Sequence, residues 1–322
     1  MGLPTSLQGA RCSPRGLVIA SAVVSCLACS ATKDTGGPVN LDGGGQTDGG
    51  STSFDVGGLP KDDAGFGGDG ISPDGGIAPE DCPDELKQVY VVTKENTLYR
   101  FDPATLVFTK IGDVNCPAGG ETPFSMAVDR KGTAWVLFSD GSLYKVSTKD
   151  ASCSATSFAP DQGGFHTFGM AFDADSPGST NETLYVADYE AKGIAKIDTT
   201  TLKLTFVGDY GGASPGPGEL TGRGDARLFA FFDDVPTRVA EINRTSGNVM
   251  ASKTVPGLSV GSGWAFAHWG GDFWLFTAPT GSSQVTQFTF ETGVAKTAKT
   301  GLGFIIVGAG VSTCAPTVPP VK

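Results

Sequence analysis

Histidine is nearly absent from this chain: His166 and His268 are the two in 322 residues. A zinc centre built from several imidazoles is excluded, and a Ser-His-Asp triad would have to rest on His166 alone. Basic side chains are also few, 23 against 34 acidic ones, for a net charge of −11. Nucleic-acid binding needs a basic footprint, so DNA and RNA drop out as partners. No apolar run is long enough to span a bilayer, and heptads are missing. There is no GxSxG elbow, HExxH helix or Walker loop.

What is present is unevenly spread. Arg11 and Arg15 precede the apolar run GLVIASAVVSC (16–26), which reads as a secretory h-region. Its last residues, VVSC, resemble the bacterial lipobox, in which the cysteine becomes the acylated first residue. The resemblance implies removal of 1–25 and a lipid (palmitate) anchor on Cys26. Cys29, in CLAC, is the alternative, and cleavage there leaves, besides the acylated Cys29, four cysteines in the body, an even number suited to two disulfides. Either site implies an exported protein tethered to the cell envelope, at the outer membrane, where disulfides form.

Residues 26–81 then form a linker. From Asp34 to Asp81 the chain is mostly Gly, Asp, Pro and Ser, with ten acidic residues against Lys61 alone. Such a tract buries nothing that would offset its ordering entropy, so disorder is expected, with a reach of roughly 40 Å. GGDGISPDGG (67–76) has the flavour of an Asp/Gly calcium loop but lacks the EF-hand spacing and its closing Glu, so a solvated spacer is the better reading. Residues 82–322 carry only −5 of the charge, so the acidity belongs to the tether.

The body repeats. LYVADYEAKGIAKIDTTTLKLTFVG (184–208) is a set of alternating apolar runs joined by turn chemistry, and similar sets recur. Its third run, IAKID at 194, matches LYRFD at 98, LYKVS at 143, VAEIN at 239 and VTQFT at 285, at spacings of 45, 51, 45 and 46. Units of about 46 residues with four short strands are the signature of propeller blades. Five units are visible; the first lacks a leading strand, and GFIIVGAGV (303–311) is one to spare. The expected fold is therefore an all-β, five-bladed β-propeller over 82–322, closed by the C-terminal strand so that no sheet edge stays open. ELTGRGDA (219–226) is the weakest strand segment, expected to form the inner strand of blade 4, with GRGD inside it.

The cysteines fit closure. Cys82 precedes the first unit and Cys314 follows the terminal strand, so a Cys82–Cys314 bridge would staple the ring where its ends meet, leaving Cys116 with Cys153. Four cysteines allow three pairings, and sequence alone does not choose among them. The blade text FGMAFDADSPGSTNETLYVADYEAKGIAKIDTTTLKLTFVG (168–208) resembles the NHL-type repeats of bacterial extracytoplasmic propellers, and FSMAVDRKGTAWVLFSDGSLYKVS (124–147) resembles them more loosely. The resemblance implies a fold and no particular activity, since propellers host binding and hydrolysis alike. It also implies that Asp129 and Asp173 cap turns.

Function in a propeller sits on loops entering each inner strand and on loops between each second and third strand. That places Glu121, Asp161, His166, Tyr189, Glu190, Tyr210, Asp233 and Trp269 on a candidate binding face. His268 falls at the far end of an inner strand, away from His166. Two readings compete. One is a recognition or scaffolding module without catalysis or cofactor, with an envelope or extracellular protein or glycan as partner. The other is a hydrolase, either a carboxylate-dependent glycosidase or a calcium-dependent lactonase-like enzyme, with Glu121, Asp188, Glu219 and His166 as candidate catalytic groups. The enzyme needs acids converging in one central pocket; the binding module needs an aromatic or apolar patch.

Overall fold

The structure is a computed structural model that describes residues 82–213 and 215–320. The signal-like segment, Cys26, Cys29, the acidic tether and its calcium-loop look-alike lie outside the described residues.

Alternating apolar residues give the body twenty strands in five antiparallel sheets of four, the blades of a β-propeller. Blade 1 combines the C-terminal strand Ile306–Val311 with Val89–Thr93, Thr97–Asp102 and Val107–Asp113. Val89 pairs with Val311 and Val91 with Ala309, so the two ends of the chain close the ring through one ladder. Blade 2 is Pro123–Val128, Thr133–Phe138, Leu143–Ser147 and Cys153–Ala155. Blade 3 is Phe168–Ala174, Glu182–Asp188, Ile194–Ile197 and Leu204–Gly208. Blade 4 is Gly218–Thr221, Leu228–Phe232, Arg238–Ile242 and Val249–Thr254. Blade 5 is Trp264–Trp269, Asp272–Thr277, Gln284–Thr289 and Val294–Lys299.

Each blade buries both faces of its inner strands, and the core divides accordingly. Five apolar clusters fill the five junctions: Val136 and Tyr90 between blades 1 and 2, Leu137 and Phe172 between 2 and 3, Tyr185 and Phe232 between 3 and 4, Phe231 and Phe266 between 4 and 5, and Phe276 and Phe101 between 5 and 1. The last two are rich in edge-to-face ring pairs. Near the axis the inner strands meet backbone to backbone. A Cβ on Gly169 would lie 2.2 Å from the carbonyl oxygen of Gly218, and one on Gly308 2.9 Å from the amide of Met126. These glycines are what lets five strands converge.

Cys82 joins Cys314 across 232 residues, and Cys116 joins Cys153 across 37. In the chain-entropy account, closing loops of these lengths stabilises by about 5 and about 4 kcal/mol at most. Both bridges fit an extracytoplasmic setting.

The fourth inner strand differs from its expected extent. Only Gly218–Thr221 is strand, and GRGD falls in the following turn. There Arg223 grips Asp225 through a two-pronged pair at 2.9 and 2.6 Å, and a Cβ on Gly224 would strike the carbonyl of Thr313 at 2.5 Å. The Arg and Asp of the tripeptide therefore satisfy each other within the fold. Asp129 does cap its turn, accepting the amides of Lys131 and Thr133, each at 2.9 Å. Asp173 instead reaches across to blade 4, accepting the Arg223 amide at 2.9 Å.

Candidate functional site

The inner strands all enter the ring from one pole, and the second strands end there. The residue directly after each second strand is Lys94, Ser139, Tyr189, Asp233 and Ala278 in blades 1 to 5. Four of these five, all but Ala278, line a single axial pocket of about 230 Å³, together with Phe124, Glu219, Gly261–Trp264 and Val307. Every blade contributes to it.

Its walls are aromatic. Phe124 and Tyr189 meet edge to face, centroids 5.1 Å apart at 77°. Trp264, the first residue of its inner strand, is held by an edge contact to Phe231 at 5.3 Å. Its floor is acidic. Glu219 sits within the inner strand of blade 4 and is 4% exposed. Ser125, from blade 2, donates its hydroxyl to one Glu219 carboxylate oxygen at 2.8 Å. Among the described residues the other oxygen has no hydrogen-bond partner within the protein and is open to the pocket rather than sealed, and no Lys or Arg pairs with this carboxyl. Burial therefore pushes the Glu219 carboxyl well above the usual range, against the Ser125 bond. Asp233 is raised too, by burial and then by the neighbouring Asp234 charge. Burial, with Asp233 and Glu219 nearby, likewise raises the Tyr189 phenol.

The other residues singled out from sequence take different places. Glu121 borders the pocket only through Ser139, whose hydroxyl it accepts at 2.7 Å. Asp188 is buried and committed to its own turn, accepting the Lys192 amide at 3.1 Å, so it does not join Glu219. Tyr210 is no face residue: it packs under blade 4 against Phe232 and is 2% exposed. Glu190 is exposed and pairs with Lys192 at 3.7 Å. His166 and Asp161 face each other at 2.9 Å on an exposed entry loop, away from the pocket lining. Trp269 lies at the opposite end of the strand that begins with Trp264, where its indole donates to the Lys87 carbonyl at 2.7 Å. It borders a separate cavity of about 500 Å³ between blades 5 and 1.

Sequence reasoning missed Phe124, Lys94, Ser139 and Trp264. The signal was positional: the column after each second strand and the first residue of each leading strand. Among the described residues no three of His, Cys, Asp and Glu gather as a metal site.

No protein-family model matches the sequence, and no curated protein matches it. Similar solved structures include one described as a nidogen/laminin complex, at 16% identity and a TM-score of 0.45 over 71% of this chain and 81% of that one. The Dos1 propeller is similar at 12% identity and a TM-score of 0.39, covering 71% of each chain. A calcium-binding protein, regucalcin, from Agrobacterium tumefaciens is similar at 17% identity and a TM-score of 0.38 over 64% and 65%. Likenesses this remote assign no function, and the fold rests on the chain's own five sheets.

Proposed function

We propose that this chain is an exported, lipid-tethered recognition module that takes one residue of an envelope protein or glycan into its axial pocket. The observation that carries the reading is the pocket itself: aromatic walls from Phe124, Tyr189 and Trp264, contributions from all five blades, and a volume of about 230 Å³. That volume lies below the usual range for drug-sized ligands and suits a single side chain or sugar ring. The two disulfides support export, and the lipobox-like VVSC supports anchoring through Cys26.

A glycosidase is the second reading, favoured by one fact: Glu219 and Asp233 line the same pocket, and burial raises the Glu219 carboxyl well above the usual range, the direction a general acid needs. Asp188 and His166 lie outside it.

Glycan and peptide arrays probed with the full chain separate the two. Recognition predicts retention on specific features that is lost with Trp264→Ala and survives without turnover. Hydrolysis of an arrayed glycoside, abolished by Glu219→Gln, would overturn it in favour of the enzyme. Acyl labelling of the expressed chain, lost with Cys26→Ser, checks the anchor; label that persists there and is lost with Cys29→Ser moves the site.

A further inference from the structure

A buried carboxyl is ordinarily answered by the protein, through an arginine, a lysine or several amide donors. Glu219 is not. It receives one neutral hydroxyl, from Ser125, and its second oxygen has no partner among the described residues. Three aromatic side chains, Phe124, Tyr189 and Trp264, stand around the space above it. Ring faces carry negative quadrupolar charge, and a desolvated carboxyl beside them adds a full negative charge once ionised. Both features complement one chemistry.

We propose that the axial pocket binds an alkylammonium group, with Phe124, Tyr189 and Trp264 as an aromatic cage and Glu219 as the counter-charge on its floor. This rests on the recognition reading and names the part of the ligand that enters. Asp233 lines the same pocket and adds a second acid from blade 4. Lys94 is the single basic residue of the lining; it is exposed and belongs to the loop after the second strand of blade 1. It opposes the ligand and sets an upper limit on affinity. The arriving cation supplies the partner that Glu219 lacks, so binding ionises the carboxyl and releases its proton. The titratable groups that face this event are Lys94 from blade 1, Glu121 through Ser139 from blade 2, Tyr189 from blade 3 and Asp233 from blade 4; the blade 5 lining carries none.

The test is calorimetric titration of the full chain with choline, beside 3,3-dimethylbutan-1-ol, which has the same shape without the charge. Choline is expected to bind at least tenfold more tightly than the alcohol, more tightly as pH rises, with a heat that depends on the buffer's ionisation enthalpy. Trp264→Ala is expected to weaken binding more than tenfold. Glu219→Gln keeps the Ser125 bond and the side-chain shape, and is expected to weaken binding and abolish proton release. Lys94→Met is expected to tighten it. Butylamine in place of choline decides whether a quaternary or a primary ammonium fits better, and either preference sustains the proposal. Equal binding of the alcohol, no binding of either amine at millimolar concentration, or unchanged affinity in Glu219→Gln would overturn it. Array binding that still depends on Trp264 would then leave the recognition reading standing, while loss of both would remove the two together.

Discussion

The two poles of the ring handle buried charge in opposite ways. At the pole of the axial pocket, Glu219 is left with a single hydroxyl partner. At the other pole the buried Asp173 and the half-buried Glu182 and Glu241 all find cationic, amide or hydroxyl partners within the chain. Asp173, fully buried, accepts the Arg223 amide and lies 2.9 Å from the Arg244 guanidinium, in an ion contact whose geometry falls short of a hydrogen bond. Glu182 accepts the Arg130 amide at 2.7 Å and the Thr313 hydroxyl at 2.9 Å. Arg227 and Glu241 form a two-pronged pair at 2.9 and 2.8 Å. The Cys82–Cys314 bridge lies at this pole, where Arg130 donates to the Cys82 sulfur at 3.2 Å. His268 is buried there as well, held neutral by burial and by the charges of Arg223 and Arg227. One pole is a structural clasp; the other leaves a carboxyl with a single hydroxyl partner, a group that an arriving cation can ionise and pair.

The contrast breaks most visibly when the clasp is opened. Replacing Cys82 and Cys314 together by Ser is expected to lower the melting temperature by roughly 5–15 °C. Calorimetry checks this, and the axial pocket should bind its ligand unchanged well below the transition. Next in size, Arg244→Met strands Asp173 without its cation and is expected to cost about 2–3 kcal/mol. Adding Asp173→Asn should recover much of that loss in chemical denaturation, because the buried negative charge is removed with its partner.

The pH dependence sharpens the comparison. Burial raises Asp173 from 3.8 to about 7 and Glu182 from 4.5 to about 7, against their amide and hydroxyl donors. An acid whose pKa is higher folded than unfolded binds more protons in the folded state. Its stabilisation is complete below the unfolded value near 4 and is lost as pH rises through about 7. The melting temperature should fall by a few degrees between pH 5 and pH 8. The smallest effect is expected at the other pole: Glu219→Gln removes no ion pair, so the melting temperature should stay within about 2 °C or rise, while the slope with pH becomes shallower.

Much of the fold was legible because blades repeat. The period of about 46 residues, the spare strand 303–311 and the positions of Cys82 and Cys314 all follow from where apolar alternation begins and ends. The fourth inner strand was less legible. GELT has little β-propensity, and it is extended because the neighbouring inner strands press on it, as the close approach of Gly169 to Gly218 shows. The site was half legible. Tyr189, Asp233 and Glu219 were in view, but Trp269 stood in for Trp264, since both belong to one strand and only the ring decides which end faces the pocket. Tyr210 sits in a loop that reads as exposed, and packing against the next blade buries it; Asp188, at the end of its strand, is buried while accepting an amide of its own turn.

The central claim is that Glu219 is an unanswered carboxyl. Carbon-13 labelling of glutamate side chains, followed by NMR through a pH titration, reads its protonation directly. The account predicts that the Glu219 carboxyl carbon keeps its protonated shift to a higher pH than an ordinary exposed glutamate does, and moves to the ionised shift when choline is added. A Glu219 that titrates with the exposed glutamates, or that ignores choline, would contradict it.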